Sequence, residues 1–303
     1  MSNIVIIGSG PAGVSAALYA ARAGVQTTVL TKGPGALDRA ELIQNYYGFA
    51  EPIAGAELER RGIEGAKAVG VEFVTTEAVG LTYTDKLTVE TLAGDFPADA
   101  VILATGASRA APRIPGLAGL EGHGVSYCAT CDGFFFRNKP IVVVGGGDSA
   151  FEEADFLSRF GSSVTLIHRR STFRASRIMV ESAQRNLKID FMLDAVVQEI
   201  RGDENGVQEV EVRNTATEKT SAIPANGVFM AIGHTPATAF LNGLVDVDSA
   251  GYITVDGAST RTSEPGVFAA GDCVDSVYRQ AISAAGMGLS LIHISEPTRL
   301  ALI

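Results

Sequence analysis

The sequence predicts an α/β fold built from two similar units, and three observations support this. A short apolar strand runs into a glycine-rich turn and a small-residue helix at two places, beginning at Asn3 and at Pro140. The two segments align without gaps at a constant offset of 137 residues. With 303 residues, 46% of them hydrophobic, the chain can bury two cores. We therefore expect two domains of the same type.

The first of these segments is typical of a Rossmann-like dinucleotide-binding turn. Gly8 permits the tight turn after the strand, and Gly10 lets backbone amides approach a pyrophosphate. Gly13 lets the helix pack closely on the strand, with the anion at the helix N-terminus. Such a turn occurring once is weak evidence, because it can be only a glycine turn.

The second segment repeats the pattern and strengthens the interpretation. Gly145 and Gly147 occupy the places of Gly8 and Gly10, and Ala150 occupies the place of Gly13. Two such turns, each between an apolar strand and a small-residue helix, predict two dinucleotide-binding domains.

The two segments differ after their second strands, where the adenosine ribose is read. In the later copy, His168–Arg170 and then Arg174 follow the strand, with no acid at the ribose position. Arginine forks match a phosphate dianion, so this copy favours NADP over NAD; the alternative is a solvated basic strand end. In the earlier copy, Thr31 and Lys32 replace the usual acid, so ribose contacts must come from elsewhere.

A redox centre is predicted between the two segments. Cys128 and Cys131, at a spacing of two intervening residues near a helix start, can close a small disulfide ring and stabilise a thiolate. The alternatives are a buried, inert pair or a zinc half-site, which would need further ligands from Cys273 and the four histidines. Asp132 could exchange protons with the dithiol, or serve only as a helix-start acid. Cys273 is expected to be a small core residue.

Bulk properties exclude several classes of function. The formal net charge of −10 argues against a nucleic-acid partner, which needs a surplus of basic side chains. No secretory signal pattern is present, and no segment reaches the roughly 18 apolar residues of a membrane-spanning helix. We expect a soluble cytoplasmic protein without a bound metal.

Taken together, the motifs resemble the low-molecular-weight, bacterial-type thioredoxin reductases over about residues 3 to 288. This resemblance implies a homodimer containing FAD and NADPH, whose NADPH domain is inserted into a discontinuous FAD domain. It implies hydride transfer from NADPH to FAD, reduction of the internal disulfide, and exchange with thioredoxin as the protein partner. Cys131 would face the flavin, Cys128 would attack thioredoxin, and Asp132 would be the acid–base residue. It also implies rotation of one domain against the other.

The resemblance and the motifs assign domains and binding residues. The predicted domains are residues 1–110 (first part of the FAD domain), 111–236 (NADPH domain with the redox pair), 237–288 (second part of the FAD domain) and 289–303 (a suspected non-native tail). The predicted FAD-binding residues are Gly8, Gly10, Pro11, Ala12, Gly13, Asn45, Ala104, Thr105, Gly106, Gly271, Asp272, Arg279, Gln280 and Ala281. The predicted NADPH-binding residues are Gly145, Gly147, Asp148, Ser149, Ala150, His168, Arg169, Arg170 and Arg174.

The sequence departs from the family pattern in two places. Residues 32–49 lack the Gly-Gly-Gln-Leu run that often touches the flavin. After Gly288, the stretch from Leu289 to Arg299 resembles a translated DNA-library adapter, and Pro297 would break the family's helix. We therefore interpret residues 289–303 as an assembly artefact, which resequencing across codon 288 tests.

Two competing functions stay open at this stage. A related flavoprotein reductase could use the same centre on another redoxin or a peroxidase, although that subclass usually carries an extra N-terminal domain. A non-catalytic redox sensor could bind both nucleotides, and sustained turnover with excess NADPH would distinguish it. A ferredoxin-fed reductase is disfavoured by His168–Arg170, and a ferredoxin–NADP reductase by Cys128 and Cys131.

Overall fold

The computed structural model describes residues 3–109 and 112–289. The chain divides into two compact units. One, which we call the discontinuous unit, is formed by residues up to 108 and from 234 onward; the other, the inserted unit, is formed by residues 109–233. The predicted tail beyond Leu289 lies outside the described residues.

The described residues contain eighteen β-strands and six α-helices. The strands are β1 Asn3–Ile7, β2 Gln26–Thr31, β3 Glu72–Thr75, β4 Ala78–Tyr83, β5 Leu87–Thr91, β6 Gly94–Ala98, β7 Ala100–Leu103, β8 Ala107–Arg109, β9 Val125–Ser126, β10 Pro140–Gly145, β11 Ser163–Ile167, β12 Ile189–Met192, β13 Ala195–Asp203, β14 Gly206–Asn214, β15 Thr220–Pro224, β16 Gly227–Ala231, β17 His234–Pro236 and β18 Val267–Ala269. The helices are α1 Pro11–Arg22, α2 Gly55–Ala68, α3 Ala129–Asp132, α4 Asp148–Ser158, α5 Arg177–Gln184 and α6 Ala281–Leu289.

The discontinuous unit is built around a parallel sheet with strand order β18-β7-β1-β2-β3. Strands β1 and β7 are continuous apolar runs, and β7 is buried at all four positions, as central parallel strands covered on both faces must be. Helices α1 and α6 pack against each other, and the Ser15 hydroxyl donates to the Ala285 carbonyl at 2.8 Å. Both segments of the unit therefore contribute to one core. A separate antiparallel sheet has the order β4-β5-β6.

The inserted unit repeats this plan. Its parallel sheet has the order β12-β11-β10-β16-β9, and β13-β14-β15 form an antiparallel sheet. The elements β10, α4 and β11 each begin 137 residues after β1, α1 and β2. The paired registers Asn3↔Gln26 and Pro140↔Ser163 keep the same offset. The predicted α/β class with two Rossmann-like units is confirmed.

Two observations concern the chain as a whole. In the part of the chain that the structure describes, no helix is both long and apolar enough to cross a membrane. Among the same residues, no three His, Cys, Asp or Glu side chains converge on a possible metal position.

Candidate functional site

The two cysteines of the inserted unit form a disulfide at the start of the short helix α3. Cys128 and Cys131 are bonded to each other, with their Cα atoms 5.3 Å apart. Cys128 Sγ caps the helix by accepting the Cys131 N–H at 3.2 Å, and Thr130 Oγ1 lies 3.3 Å from the same sulfur. Donors that converge on Cys128 Sγ favour a thiolate at this position once the bond is reduced.

The carboxyl group of Asp132 lies next to this turn and interacts with polar and charged neighbours. Asp132 is partly buried, and its Oδ2 lies 2.5 Å from the Ser126 hydroxyl oxygen. Burial raises the pKa of Asp132 above its usual range, while the hydrogen bond from Ser126 and the charge of Arg109 act in the opposite direction. Asp132 therefore holds a proton at higher pH than a free aspartate does.

Arg109 is itself held in place within the inserted unit. Its Nη1 lies 3.4 Å from Glu121 Oε1, and its guanidinium carbon lies 4.6 Å from the centre of the Tyr127 ring. This positive charge is therefore fixed near Asp132 by an ion pair and an aromatic face.

The first glycine turn has the geometry that the pattern predicts. Gly8 has φ +115°, and a Cβ there would collide with the Ala104 carbonyl oxygen. A Cβ on Gly13 would collide with the Gly8 carbonyl oxygen. No atom lies within 4 Å of the position of a Cβ on Gly10, which borders a cavity of about 430 Å³. Pro11, which also borders this cavity, begins α1, and the first backbone amides of a helix have no acceptor within it.

Two further predicted flavin segments lie at the same edge of the sheet. Residues 104–106 follow β7, and residues 270–272 follow β18. The Ala104 N–H donates to Ile7 O and the Ala270 N–H donates to Leu103 O, each at 2.9 Å. The structure thus brings these two segments together with the turn after β1, although their roles in binding stay predictions.

The segment before α6 is organised by an aspartate that sequence reasoning missed. The Asp275 carboxylate accepts the backbone N–H groups of residues 277, 278 and 279 at 2.8–3.0 Å. Arg279 adopts a left-handed φ of +48°, and its Nη1 lies 3.2 Å from His234 Nδ1. Asn45 Nδ2 donates to Gln280 Oε1 at 3.4 Å, so two predicted flavin residues meet. Only the four-residue spacing of Asp275 and Arg279 could have indicated this turn.

The second glycine turn holds the loop that carries the arginines. A Cβ on Gly145 would collide with the Ala231 carbonyl oxygen, whereas no atom lies within 4 Å of the position of a Cβ on Gly147. The Arg174 N–H donates to the Gly146 carbonyl at 2.8 Å, and the Ser176 N–H donates to Asp148 Oδ1 at 2.7 Å. Asp148, Ser149 and Ala150 form the first turn of α4.

The basic residues after β11 separate into two kinds. Arg169, Arg170 and Arg174 are exposed, as phosphate ligands need to be. His168 is buried instead, and its Nε2 lies 3.0 Å from the Thr172 carbonyl oxygen. Its ring also fills the space beside Gly146, so His168 shapes the loop.

Two remaining expectations concern single side chains. Cys273 is fully buried, and its Sγ lies 3.4 Å from the carbonyl oxygens of Leu103 and Ala270, either of which can accept the thiol hydrogen; this confirms Cys273 as a core residue. Burial raises the pKa of this thiol. At the end of β2, Thr31 Oγ1 lies 2.7 Å from Ser9 Oγ, so the position without an acid is occupied by a hydroxyl pair.

The fold and these sites define a class of protein. Residues 2–288 match the pyridine nucleotide-disulphide oxidoreductase family, and the chain belongs to it. A thioredoxin reductase of Mycolicibacterium smegmatis is 49% identical, with 94% of this chain and 93% of that protein covered. A bifunctional thioredoxin reductase/thioredoxin of Mycobacterium leprae is 48% identical over 94% of this chain and 63% of its own length. The solved thioredoxin reductase of Giardia duodenalis superposes with a TM-score of 0.94 at 35% identity, covering 98% of this chain and 99% of that one.

Membership of this family brings FAD and NADPH as cofactors, and the residues present fit them. Gly10 and Gly147 each leave open space beside a helix N-terminus, where a pyrophosphate can be bound by backbone amides. The exposed arginines of the second turn supply the forked donors that a 2′-phosphate requires.

Proposed function

We propose that this protein is an NADPH-dependent thioredoxin reductase, which passes two electrons through FAD to Cys128 and Cys131 and then to the disulfide of thioredoxin. One observation carries the proposal: a redox disulfide with a partly buried acid beside it, in a unit that also has an NADP-type loop. Relatives of this chain are thioredoxin reductases, and the Mycobacterium leprae relative carries both names in one chain. These relatives support thioredoxin as the partner.

The chemistry of the cysteines follows from the balance of electrons and protons. Converting a disulfide into two thiols takes two electrons and two protons. FAD, when bound, supplies the two-electron carrier between NADPH and the cysteines. Cys128 is the sulfur we assign to attack on thioredoxin, because its Sγ accepts the Cys131 N–H and lies beside the Thr130 hydroxyl. Cys131 then attacks Cys128 to release reduced thioredoxin and restore the internal disulfide.

Asp132 is assigned as the acid–base residue for these steps. A thiolate leaving group needs a proton when thioredoxin is released, and a thiol needs a base before it attacks. The raised pKa of Asp132, caused mainly by burial, keeps a proton available nearer to neutral pH. This arrangement supports a shuttle between the carboxyl and the dithiol.

The two nucleotides are assigned to different units. The discontinuous unit would hold FAD through the turn after β1, residues 104–106, residues 271–272 and residues 279–281, together with Asn45. The inserted unit would hold NADPH through the turn after β10 and the arginines of residues 169–174. The domain assignment at residues 1–110, 111–236 and 237–288 rests on this division.

A homodimer and a cytoplasmic location are also proposed, and both rest on the family resemblance. Sedimentation equilibrium of the FAD-loaded protein measures the first: a mass of two chains is expected, and a mass of one chain contradicts it. Fractionation of the source cells with a cytoplasmic marker tests the second.

The function is tested by following NADPH oxidation with thioredoxin present. Cys128→Ser and Cys131→Ser are each expected to abolish thioredoxin-dependent turnover, since either removes the internal disulfide. Cys273→Ser is the matched control, because it replaces a buried thiol of the discontinuous unit with a hydroxyl and leaves the redox pair of the inserted unit unchanged. If NADPH reduced the flavin and thioredoxin gave no turnover, the substrate would be another disulfide protein.

A further inference from the structure

The hydroxyl of Ser126 makes three polar contacts at the redox turn. Ser126 lies at the end of β9 and is only 5% exposed. Its Oγ is 2.5 Å from Asp132 Oδ2, accepts the Cys128 N–H at 3.1 Å, and lies 3.4 Å from the Cys128 carbonyl oxygen. One hydroxyl therefore joins the proposed acid–base group to the backbone of the first redox cysteine.

We propose that Ser126 is the positioning residue that holds Asp132 in both of its protonation states; this rests on the proposed function, in which Asp132 exchanges protons with the dithiol. Ser126 does not touch the reacting sulfur in this structure, so its effect is exerted through Asp132. No sequence motif distinguishes it from an ordinary strand-end serine.

The proposal follows from counting hydrogen-bond donors and acceptors. A serine hydroxyl has one hydrogen and two acceptor lone pairs. One lone pair is used by the Cys128 N–H in either state, which fixes the oxygen. When Asp132 is ionised, the Ser126 hydrogen points to Oδ2. When Asp132 is protonated, its O–H can donate to the second lone pair, and the Ser126 hydrogen turns to the Cys128 carbonyl.

This rotation conserves every atom and every proton. The proton that Asp132 gives or takes moves between its carboxyl and a thiol, and Ser126 only turns its own hydrogen. Without the Ser126 hydroxyl, the partly buried Asp132 carboxyl would lose this hydrogen bond in both its ionised and its protonated form. The charge that acts on Asp132 is that of Arg109, which contacts Glu121 and the Tyr127 ring. Helix α4, which packs on α3, carries the acids Glu152 and Glu153.

The direct test is a carboxyl titration of the oxidised holoenzyme, in which the cysteines do not titrate. The probe is the carboxyl ¹³C resonance of Asp132, identified by its loss in Asp132→Asn. In Ser126→Ala, both forms of Asp132 lose a hydrogen bond, but the charge-assisted bond to the ionised carboxylate is the stronger one, so the midpoint is expected to rise by about one pH unit. In Ser126→Thr, which keeps the hydroxyl, the midpoint should stay near that of the parent protein.

Ser158→Ala provides the matched control. Ser158 is also buried in the inserted unit, and its hydroxyl donates to the Asp155 carbonyl and accepts from Asn186, away from the redox turn. Its loss removes a buried hydroxyl without touching Asp132. A midpoint that is no higher in Ser126→Ala than in Ser158→Ala would overturn the proposal.

A second measurement separates positioning from a purely structural role. Ser126→Ala should lower thioredoxin-dependent turnover about tenfold in the parent protein and by less than about twofold in an Asp132→Asn background. Equal losses in both backgrounds would contradict action through Asp132. If the parent protein itself did not turn over thioredoxin, the proposed function would fail, while the titration would still decide whether Ser126 controls Asp132.

Discussion

At Asp132, burial and local charge act in opposite directions on one carboxyl group. Burial raises its pKa, and the Ser126 hydroxyl together with Arg109 limits the increase. The net effect is a raised pKa, so Asp132 keeps its proton to higher pH than an exposed or ion-paired aspartate does. The immediate neighbours of Asp132 therefore determine the protonation chemistry of the site.

Replacement of this acid gives the first prediction. Asp132→Asn should lower thioredoxin-dependent kcat by about 10²-fold or more, because no carboxyl remains to exchange protons with the dithiol. In the parent protein, the acid is lost as the pH rises through the raised pKa, so steps that need a donor slow down there. A pH profile of kcat measures both effects, and an unchanged profile in the variant would argue against the assignment.

The sequence alone identified some of these residues and missed others for a physical reason. Cys128, Cys131 and the glycines of both turns could be predicted, because their chemistry requires fixed spacing along the chain. Ser126 and Asp275 could not, because their partners are chosen by how β9 and the segment before α6 fold back on the site.

At the scale of elements, the loop after β11 is held by contacts that do not involve its arginine side chains. The Arg174 amide is bound to Gly146, the Ser176 amide is bound to Asp148, and the buried His168 ring fills the space beside Gly146. The proposed phosphate recognition would therefore depend on a loop whose backbone is bound to the glycine turn.

The second prediction tests this connection. Asp148→Ala should weaken binding of 2′,5′-ADP about tenfold and binding of 5′-AMP much less, because the loop that presents the arginines loses its anchor. Asp148→Asn keeps an acceptor oxygen and should behave like the parent protein. Asp155→Ala is the control, since Asp155 lies on the same helix and its side chain pairs with Arg159 at the surface. Calorimetric titration measures these affinities, and equal weakening for both ligands would contradict a role for the loop.

Helix α2 carries two glutamates whose environments differ. Glu57 pairs with Arg60 and Arg61, and these partners lower its pKa to about 2. Glu59 has a pKa raised by burial, with Oε2 buried and without a hydrogen-bond partner among the described residues. Folding therefore favours the ionised form of Glu57 and the protonated form of Glu59.

The third prediction follows from these signs. The contribution of Glu59 to stability is present below its unfolded pKa and is lost as the pH rises through the raised folded pKa. Glu59→Gln should therefore raise the melting midpoint at pH 7 by about 1–2 °C, a small value because the group is partly exposed, and should give no gain at pH 4. Glu57→Gln should lower the midpoint at pH 7. Scanning calorimetry at both pH values tests the pair, and a loss of stability in Glu59→Gln at pH 7 would contradict the assignment.

At the scale of the whole molecule, the two repeated Rossmann-like units were predictable from the sequence, and the antiparallel sheets attached to them were not. The offset between the two glycine turns predicted matching strands and helices, because close packing and anion binding both depend on local spacing. The antiparallel sheets β4-β5-β6 and β13-β14-β15 were not predicted, because no motif marks them and their pairing is decided by the fold around them. That one unit is interrupted by the other came only from the family resemblance.

The fourth prediction concerns the two units as separate ligand-binding bodies. Because a ligand stabilises the part of a protein that binds it, FAD should raise one thermal transition and 2′,5′-ADP a different one. Calorimetry of the protein with each ligand in turn measures this. A single transition that moves equally with both ligands would mean that the two units unfold together.

The pairing of β18 with β7 also has a consequence for synthesis on the ribosome. Strand β7 ends at Leu103, but its outer neighbour begins only at Val267, after the whole inserted unit has been translated. At usual elongation rates, the nascent chain carries the uncovered edge of β7 for on the order of ten seconds. An unpaired strand edge is a template for association with other chains. The discontinuous unit is therefore the part of this protein that we expect to need chaperone protection, and the inserted unit is the part that can fold while translation continues.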